Sequence, residues 1–130
     1  MDGTEPMSTA PSLEMLGDIA VLRVSGDMSL ESAIRAIKSG IAASRSRRAT
    51  KLLIDGSQLG GFDPPSVAAR SYLTREWAEA AGSAMRIAYI GRADMVDPQK
   101  FEITVAASYG LVADIFLDET DALAWLRDDV

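Results

Sequence analysis

The stretch Lys51–Ser66, "KLLIDGSQLGGFDPPS", decides how the chain is read. Lys51–Asp55 is a short apolar run, as expected of a strand covered on both faces of a sheet. A connection rich in glycine and proline follows, and then "SVAARSYLTREWAEAAG" reads as a helix. Leu73, Trp77, Ala80 and Ala81 share one face of that helix, and Gly82 stands near its stop. A covered strand feeding a helix through a short connection is half of a parallel β-α-β unit.

The same alternation extends downstream. "MRIAYIG" reads as a strand, "PQKFEITVAASYG" as a helix ending near Gly110, and "ADIFLD" as the last strand. "DETDALAWLRD" closes the chain as a short helix with Leu123 and Leu126 inward and Trp125 at its edge. Upstream, "SLEML" and "IAVLRVSG" flank Gly17-Asp18, which predicts a hairpin with antiparallel strands. Between the hairpin and Lys51, Leu30, Ile34, Ile37 and Ile41 form an apolar helical stripe that Ser29 can cap. Arg45, Arg47 and Arg48 fall at the end of that helix, where cations complement the macrodipole. The order is β-β-α-β-α-β-α-β-α. It predicts an α/β fold with a mixed, mostly parallel sheet of four to five strands and about four helices. Residues 1–11 read as a disordered tail and residues 12–130 as one domain. Met7 is an alternative start within the tail.

Composition narrows the function. Thirteen Lys and Arg against nineteen Asp and Glu leave a net charge of −6, the wrong balance for a general nucleic-acid binder. There is no Cys and no His, so thiol chemistry, disulfides and the commonest metal ligand and general base are all missing. No metal or cofactor is expected. No apolar run is long enough to span a bilayer, and the acidic N-terminus does not resemble a secretory signal, so the expected location is cytoplasmic.

In an open α/β sheet, ligands favour the crevice beyond the carboxyl ends of the strands. The connections reaching that edge hold Gly26-Asp27-Met28, Asp55–Ser66, Gly91–Asp97 and Asp118. None carries G-x-G-x-x-G or G-x-x-x-x-G-K-[ST], so neither phosphate cradle is present. Asp55 stands where a receiver domain keeps its phosphoacceptor, but no lysine follows the last strand, which ends Leu117-Asp118-Glu119. Ser57 and Ser66 have no histidine to act as base. Asp27, Asp55 and Asp63 would have to converge to do acid–base work. Capping accounts for several carboxylates instead. Asp63 with Pro64 at the first helical position is expected to start the second helix, Asp97 with Pro98 the third, and Asp118 the fourth. Capping does not explain Met28, Phe62, Met95 and Val96 at the same edge. These side chains either anchor the loops or together form an apolar contact surface.

"VSGDMSLESAIRAI", "KLLIDGSQLGGF", "REWAEAAG", "DPQKFEITVAASYG" and "ALAWL" together resemble the SpoIIAA-like proteins of the STAS type, with their CRAL-TRIO-related lipid-binding relatives. The resemblance runs from about Leu13 to Leu126. It implies a SpoIIAA-like sheet-and-helix domain that regulates or binds rather than catalyses. Anti-sigma antagonists of this group carry a phosphorylatable serine in a D-S-[ST]-G-like turn before the second helix. Asp63 matches that aspartate, Pro64 stands where the serine would be, and Ser66 lies two positions later as the candidate phosphorylation site. The lipid-binding relatives imply instead a small apolar ligand between the helices near the strand ends.

Two readings follow. In the first, the chain is a non-enzymatic regulatory or scaffold domain. It binds a protein partner through the strand-end loops and second helix, with Met28, Phe62, Asp63, Ser66, Met95 and Val96 as contact residues. An exposed Met/Phe patch with no deep cavity beneath it is the mark of that reading. In the second, the chain binds a small apolar molecule or lipid, and a closed apolar cavity lies between the second and third helices.

Overall fold

The computed structural model describes residues 11–83, 85–96 and 99–128. The chain runs β1 (Ser12–Leu16), β2 (Ile19–Asp27), α1 (Leu30–Ser46), β3 (Lys51–Gly60), α2 (Val67–Ala81), β4 (Arg86–Ile90), α3 (Phe101–Ser108), β5 (Val112–Phe116) and α4 (Glu119–Arg127). This is the predicted order. The five strands lie in sequence order across one sheet, with β1 antiparallel to β2 and the other neighbours parallel. Gly17 adopts φ +63° in the hairpin turn, and Leu16 pairs with Ile19 across it.

Each crossover from β2 to β5 steps one strand in the same direction. Crossovers of one hand stepping one way place their helices on one face, and α1, α2 and α3 pack side by side there. Among the described residues only α4, after the last strand, covers the other face, against β3, β4 and β5. The strand period of two divides the core accordingly. Leu22, Leu52, Ile54 and Ile87 face the three helices, while Ile19, Val21, Leu53, Ala88 and Ile90 face α4.

The helical stripe of α1 lies inward as expected, with Ile34, Ile37 and Ile41 buried and Leu30 half-buried, and the Ser29 hydroxyl caps the helix by accepting from the Ser32 amide. In α4, Asp118 caps as predicted, accepting from the Asp121 amide at 2.8 Å. Trp125 packs on Phe116 with ring centroids 5.7 Å apart, and the Arg86 guanidinium lies 4.0 Å from the Trp125 ring centre.

Three boundaries differ from the sequence reading. The strand beginning at Lys51 continues to Gly60, so half of the expected loop is strand. It does so because β2, at nine residues, is nearly as long as the ten of β3. After a register shift between Arg23 and Ser25, Ser25, Gly26 and Asp27 pair with Gln58, Leu59 and Gly60. The start of α2 is not Asp63: Ser66 is the N-cap, and its Oγ accepts from the Ala69 amide at 3.1 Å. Pro64 precedes Pro65, and a residue before proline is pushed out of the helical region, so it cannot serve as the first helical position. Asp97 and Pro98 lie outside the described residues; α3 begins at Phe101, with Lys100 as N-cap in the left-handed region (φ 52°) and no side-chain cap.

Candidate functional site

The pairing of β3 with β4 ends at Asp55 opposite Ile90, whereas β3 continues beside β2 for five more residues, Gly56–Gly60. A two-stranded ribbon therefore projects past the end of the main sheet. Gly61 turns the chain off it at φ +91°, where a Cβ would sit 2.5 Å from the Met28 amide nitrogen. The late start of α3 leaves the opposite side of this edge to the 91–96 connection.

Between the ribbon, that connection and the three helices lies an apolar cavity of about 130 Å³. The sheet contributes Ile54, Ile87 and Tyr89, and the helices contribute Ile34, Leu73, Trp77 and Ala106. Phe62, Pro65, Met95 and Val96 line it from the strand-end loops. Tyr89 stacks on Trp77 with centroids 5.9 Å apart, and the Trp77 indole N–H donates to the Ile34 carbonyl, tying α2 to α1. The tyrosine fits because residue 56 is glycine: a Cβ there would stand 2.3 Å from the Tyr89 hydroxyl oxygen. Burial pushes the Tyr89 phenol up to about 12, with the charges of Asp55 and Glu102 acting in the same direction. The hydroxyl is therefore neutral at ordinary pH.

The lining includes the charged residues Arg70, Arg92, Glu102 and Asp114; Asp114 is paired with Lys100 at 3.0 Å, and Arg70 and Glu102 pair within the lining. Arg70 of α2 donates to Glu102 Oε2 of α3 at 2.7 Å, and also to the carbonyls of Pro65 and Met95. It thus ties α2, α3 and both strand-end loops into one frame. The side chains of Arg70 and Glu102 are 12% and 18% exposed. The other carboxylate oxygen, Glu102 Oε1, is buried and has no hydrogen-bond partner among the described residues. At the rim, Arg92 donates to both carboxylate oxygens of Asp94 and to the Leu59 carbonyl. Its guanidinium is raised chiefly by the Asp94 hydrogen bond, and the Asp94 carboxyl is lowered by the same contact.

The sequence candidates divide between this cavity and the outer surface. Phe62, Met95 and Val96 are half-buried and line the cavity. Met28 is half-buried against the core beneath α1–α3. Asp63 and Ser66 are exposed on the approach to α2. Of the three aspartates considered for acid–base work, Asp27 and Asp63 are exposed and Asp55 is engaged elsewhere. Asp55 faces the α4 side, where Oδ2 accepts from Arg23 at 2.9 Å and Oδ1 accepts from the Ser57 amide and hydroxyl. Arg23 also donates to Glu119 at the start of α4, and these contacts hold its guanidinium above its ordinary value, the Glu119 hydrogen bond most of all. Among the described residues no cluster of acids has metal-binding geometry, and no helix is long and apolar enough to cross a membrane.

Arg70, Glu102 and Tyr89 were missed in the sequence. Tyr89 had a signal: in "RIAYI" it alternates with Ile87 and so shares its face. Arg70 and Glu102 had none, because each reads as an ordinary charge in the first turns of a helix.

No family model and no curated protein matches the sequence. Solved structures do match. An anti-sigma factor antagonist from Mycobacterium paratuberculosis aligns over 91% of this chain and 93% of its own, with TM-score 0.61 and 20% identity. The chain has the SpoIIAA-like, STAS-type fold. An uncharacterized protein with a SpoIIAA-like fold from Shewanella loihica aligns over 93% of this chain and 99% of its own, with TM-score 0.52 and 23% identity. In the SpoIIAA-like frame, the long β2–β3 ribbon and the loop before α2 frame the cavity.

Proposed function

We propose that this SpoIIAA-like protein is a non-enzymatic, cytoplasmic regulatory domain that binds a protein partner through the strand-end loops and α2. The observation that carries the reading is the surface at the start of α2. Val67, 67% exposed, follows directly on the exposed Asp63 and Ser66, and Tyr72, 48% exposed, lies further along the same helix. Large apolar side chains beside polar groups make a contact surface of the kind found at protein interfaces. The fold is shared with an anti-sigma factor antagonist, which supports a regulatory role. The exposure of Asp27 and Asp63 and the engagement of Asp55 by Arg23 and Ser57 support a role without catalysis. The exposed Met/Phe patch expected of this reading is not formed, since Met28, Phe62, Met95 and Val96 are half-buried and the last three line the cavity; of the contact set expected from sequence, Asp63 and Ser66 remain exposed, and we add Val67 and Tyr72 to them.

Affinity capture from the native organism tests this with the wild type beside the double variant Val67→Glu, Tyr72→Ala. The wild type is expected to retain a partner that the variant loses while keeping its melting temperature. Identical captures by both would overturn the assignment of this surface. Ser66 is the candidate regulatory serine. A phosphate there would meet the free amides of the first turn of α2. Intact-mass measurement of protein from its native host reads it directly, and an unmodified mass in every growth condition removes it.

The cavity favours a second reading, a small apolar ligand held between α2, α3 and the sheet. Half-buried Phe62, Met95 and Val96 then serve the cavity rather than an outer patch. Native mass spectrometry would reveal a bound species, and repeated recovery of the bare chain would count against it.

A further inference from the structure

We propose that the cavity beneath the strand-end loops is built for a neutral ligand the size of one aromatic ring that carries a hydrogen-bond donor, such as a phenol, and that Glu102 recognises the donor. The inference rests on the small-ligand reading above and adds the chemical class. Size comes first. At about 130 Å³ the cavity is on the scale of an engineered apolar cavity of about 150 Å³ that takes benzene. It is well below the roughly 300–1,000 Å³ of pockets for drug-sized ligands, so it does not hold an extended acyl chain. The lining agrees: Trp77 and Tyr89, stacked on each other with 24° between their planes, give it aromatic surface.

Polarity sets the rest. Buried polar atoms are almost always hydrogen-bonded, and each exception calls for an explanation. Glu102 lines the cavity, Oε2 is taken by Arg70, and Oε1 has no partner among the described residues. A carboxylate oxygen only accepts, so the missing partner is a donor. It need not be charged, because Arg70 already balances the carboxylate at 2.7 Å. A cationic ligand would find both acids of the lining already engaged, Glu102 by Arg70 and Asp114 by Lys100. An anionic one would leave Glu102 Oε1 opposed by like charge. The neutral Tyr89 hydroxyl, held above Gly56, is a further polar group in the same wall.

The test titrates ¹⁵N-labelled full-length protein with phenol, toluene and benzoate. Amide shifts at Ile54, Leu73 and Tyr89 report the cavity; Leu53, Ala122 and Leu126, in the core under α4, are the internal control. A dry cavity with no partner would favour toluene about tenfold or more, because phenol must leave its hydration behind. The expected result is that phenol binds at least as tightly as toluene, with shifts confined to the cavity side. Glu102→Gln should weaken phenol about tenfold and toluene less than about twofold. Ala106→Val, which fills the cavity, should weaken both. If toluene binds more tightly than phenol, the donor inference falls and the small-ligand reading stands. If neither ligand moves the cavity residues, both fall. If benzoate binds most tightly, the ligand is anionic and the neutral class is overturned. The wild-type titrations decide among these outcomes even if a variant fails to fold.

Discussion

Leu53 and Ile54 are neighbours on β3 and both are fully buried, yet they look into different interiors. Leu53 meets α4, where Leu126, Ala122, Trp125 and Phe116 fill the space. Ile54 meets a cavity walled by three helices. A single nine-residue helix can settle onto its sheet face at the best depth, because little else constrains it. Three helices on the other face are each tethered to strands at both ends and also packed on one another. Their spacing is a compromise. The gap falls where the β2–β3 ribbon outruns β4 and α3 starts late. The closed face contributes stability, and the open face has room for function.

The largest expected effect probes the closed face. Leu126→Ala should cost about 3–5 kcal/mol in denaturant unfolding, because a helix packed directly on the sheet cannot collapse into the hole. Leu73→Ala, beside the existing cavity, should cost about 2 kcal/mol. Equal losses would break the distinction between the faces. Arg70→Ala should cost about 3 kcal/mol by stranding the Glu102 carboxylate, and the double change Arg70→Met, Glu102→Leu should recover most of it. Small-to-large changes sharpen the contrast further. Ala122→Val should cost about 1–3 kcal/mol under α4, whereas Ala106→Val should leave the melting temperature nearly unchanged. The caps come next: Ser66→Ala and Asp118→Ala should each cost about 1 kcal/mol, and Asp63→Ala less than about 0.5 kcal/mol.

The smallest effect is silent at neutral pH. Tyr89 has an ordinary value of 10.0 and burial raises it to about 12, so the folded protein holds the phenolic proton more tightly than the unfolded chain does. The resulting stability is complete below pH 10.0 and is lost as pH rises toward about 12. Ultraviolet titration should show an ionisation near pH 12 that Tyr89→Phe removes, and the variant should lose less stability over that range.

Much of the fold was legible because it rests on local pattern. Gly17-Asp18 sets the hairpin, the isoleucines of α1 set its buried face, and Asp118 starts α4. The length of β3 was hidden because "GSQLGG" lacks a strand pattern of its own; only pairing with β2 across a register shift makes it a strand. The start of α2 was misplaced by one capping rule where a second, the constraint before Pro65, prevails. The candidate site was half legible. Phe62, Met95 and Val96 stood out as apolar residues at a polar edge. Arg70 and Glu102, thirty-two positions apart, become a pair only when α2 packs on α3.

By itself, then, the sequence determined the order of elements, the mixed, mostly parallel sheet and the absence of histidine and cysteine chemistry. These depend on composition and on periodicities that each segment carries within itself. The tertiary structure alone decided that apolar loop residues line a cavity, that a tyrosine enters it over Gly56, and that one carboxylate oxygen of Glu102 is left unpartnered there. Those features arise where separate elements meet, and the distances between elements are not written in the pattern of any one of them.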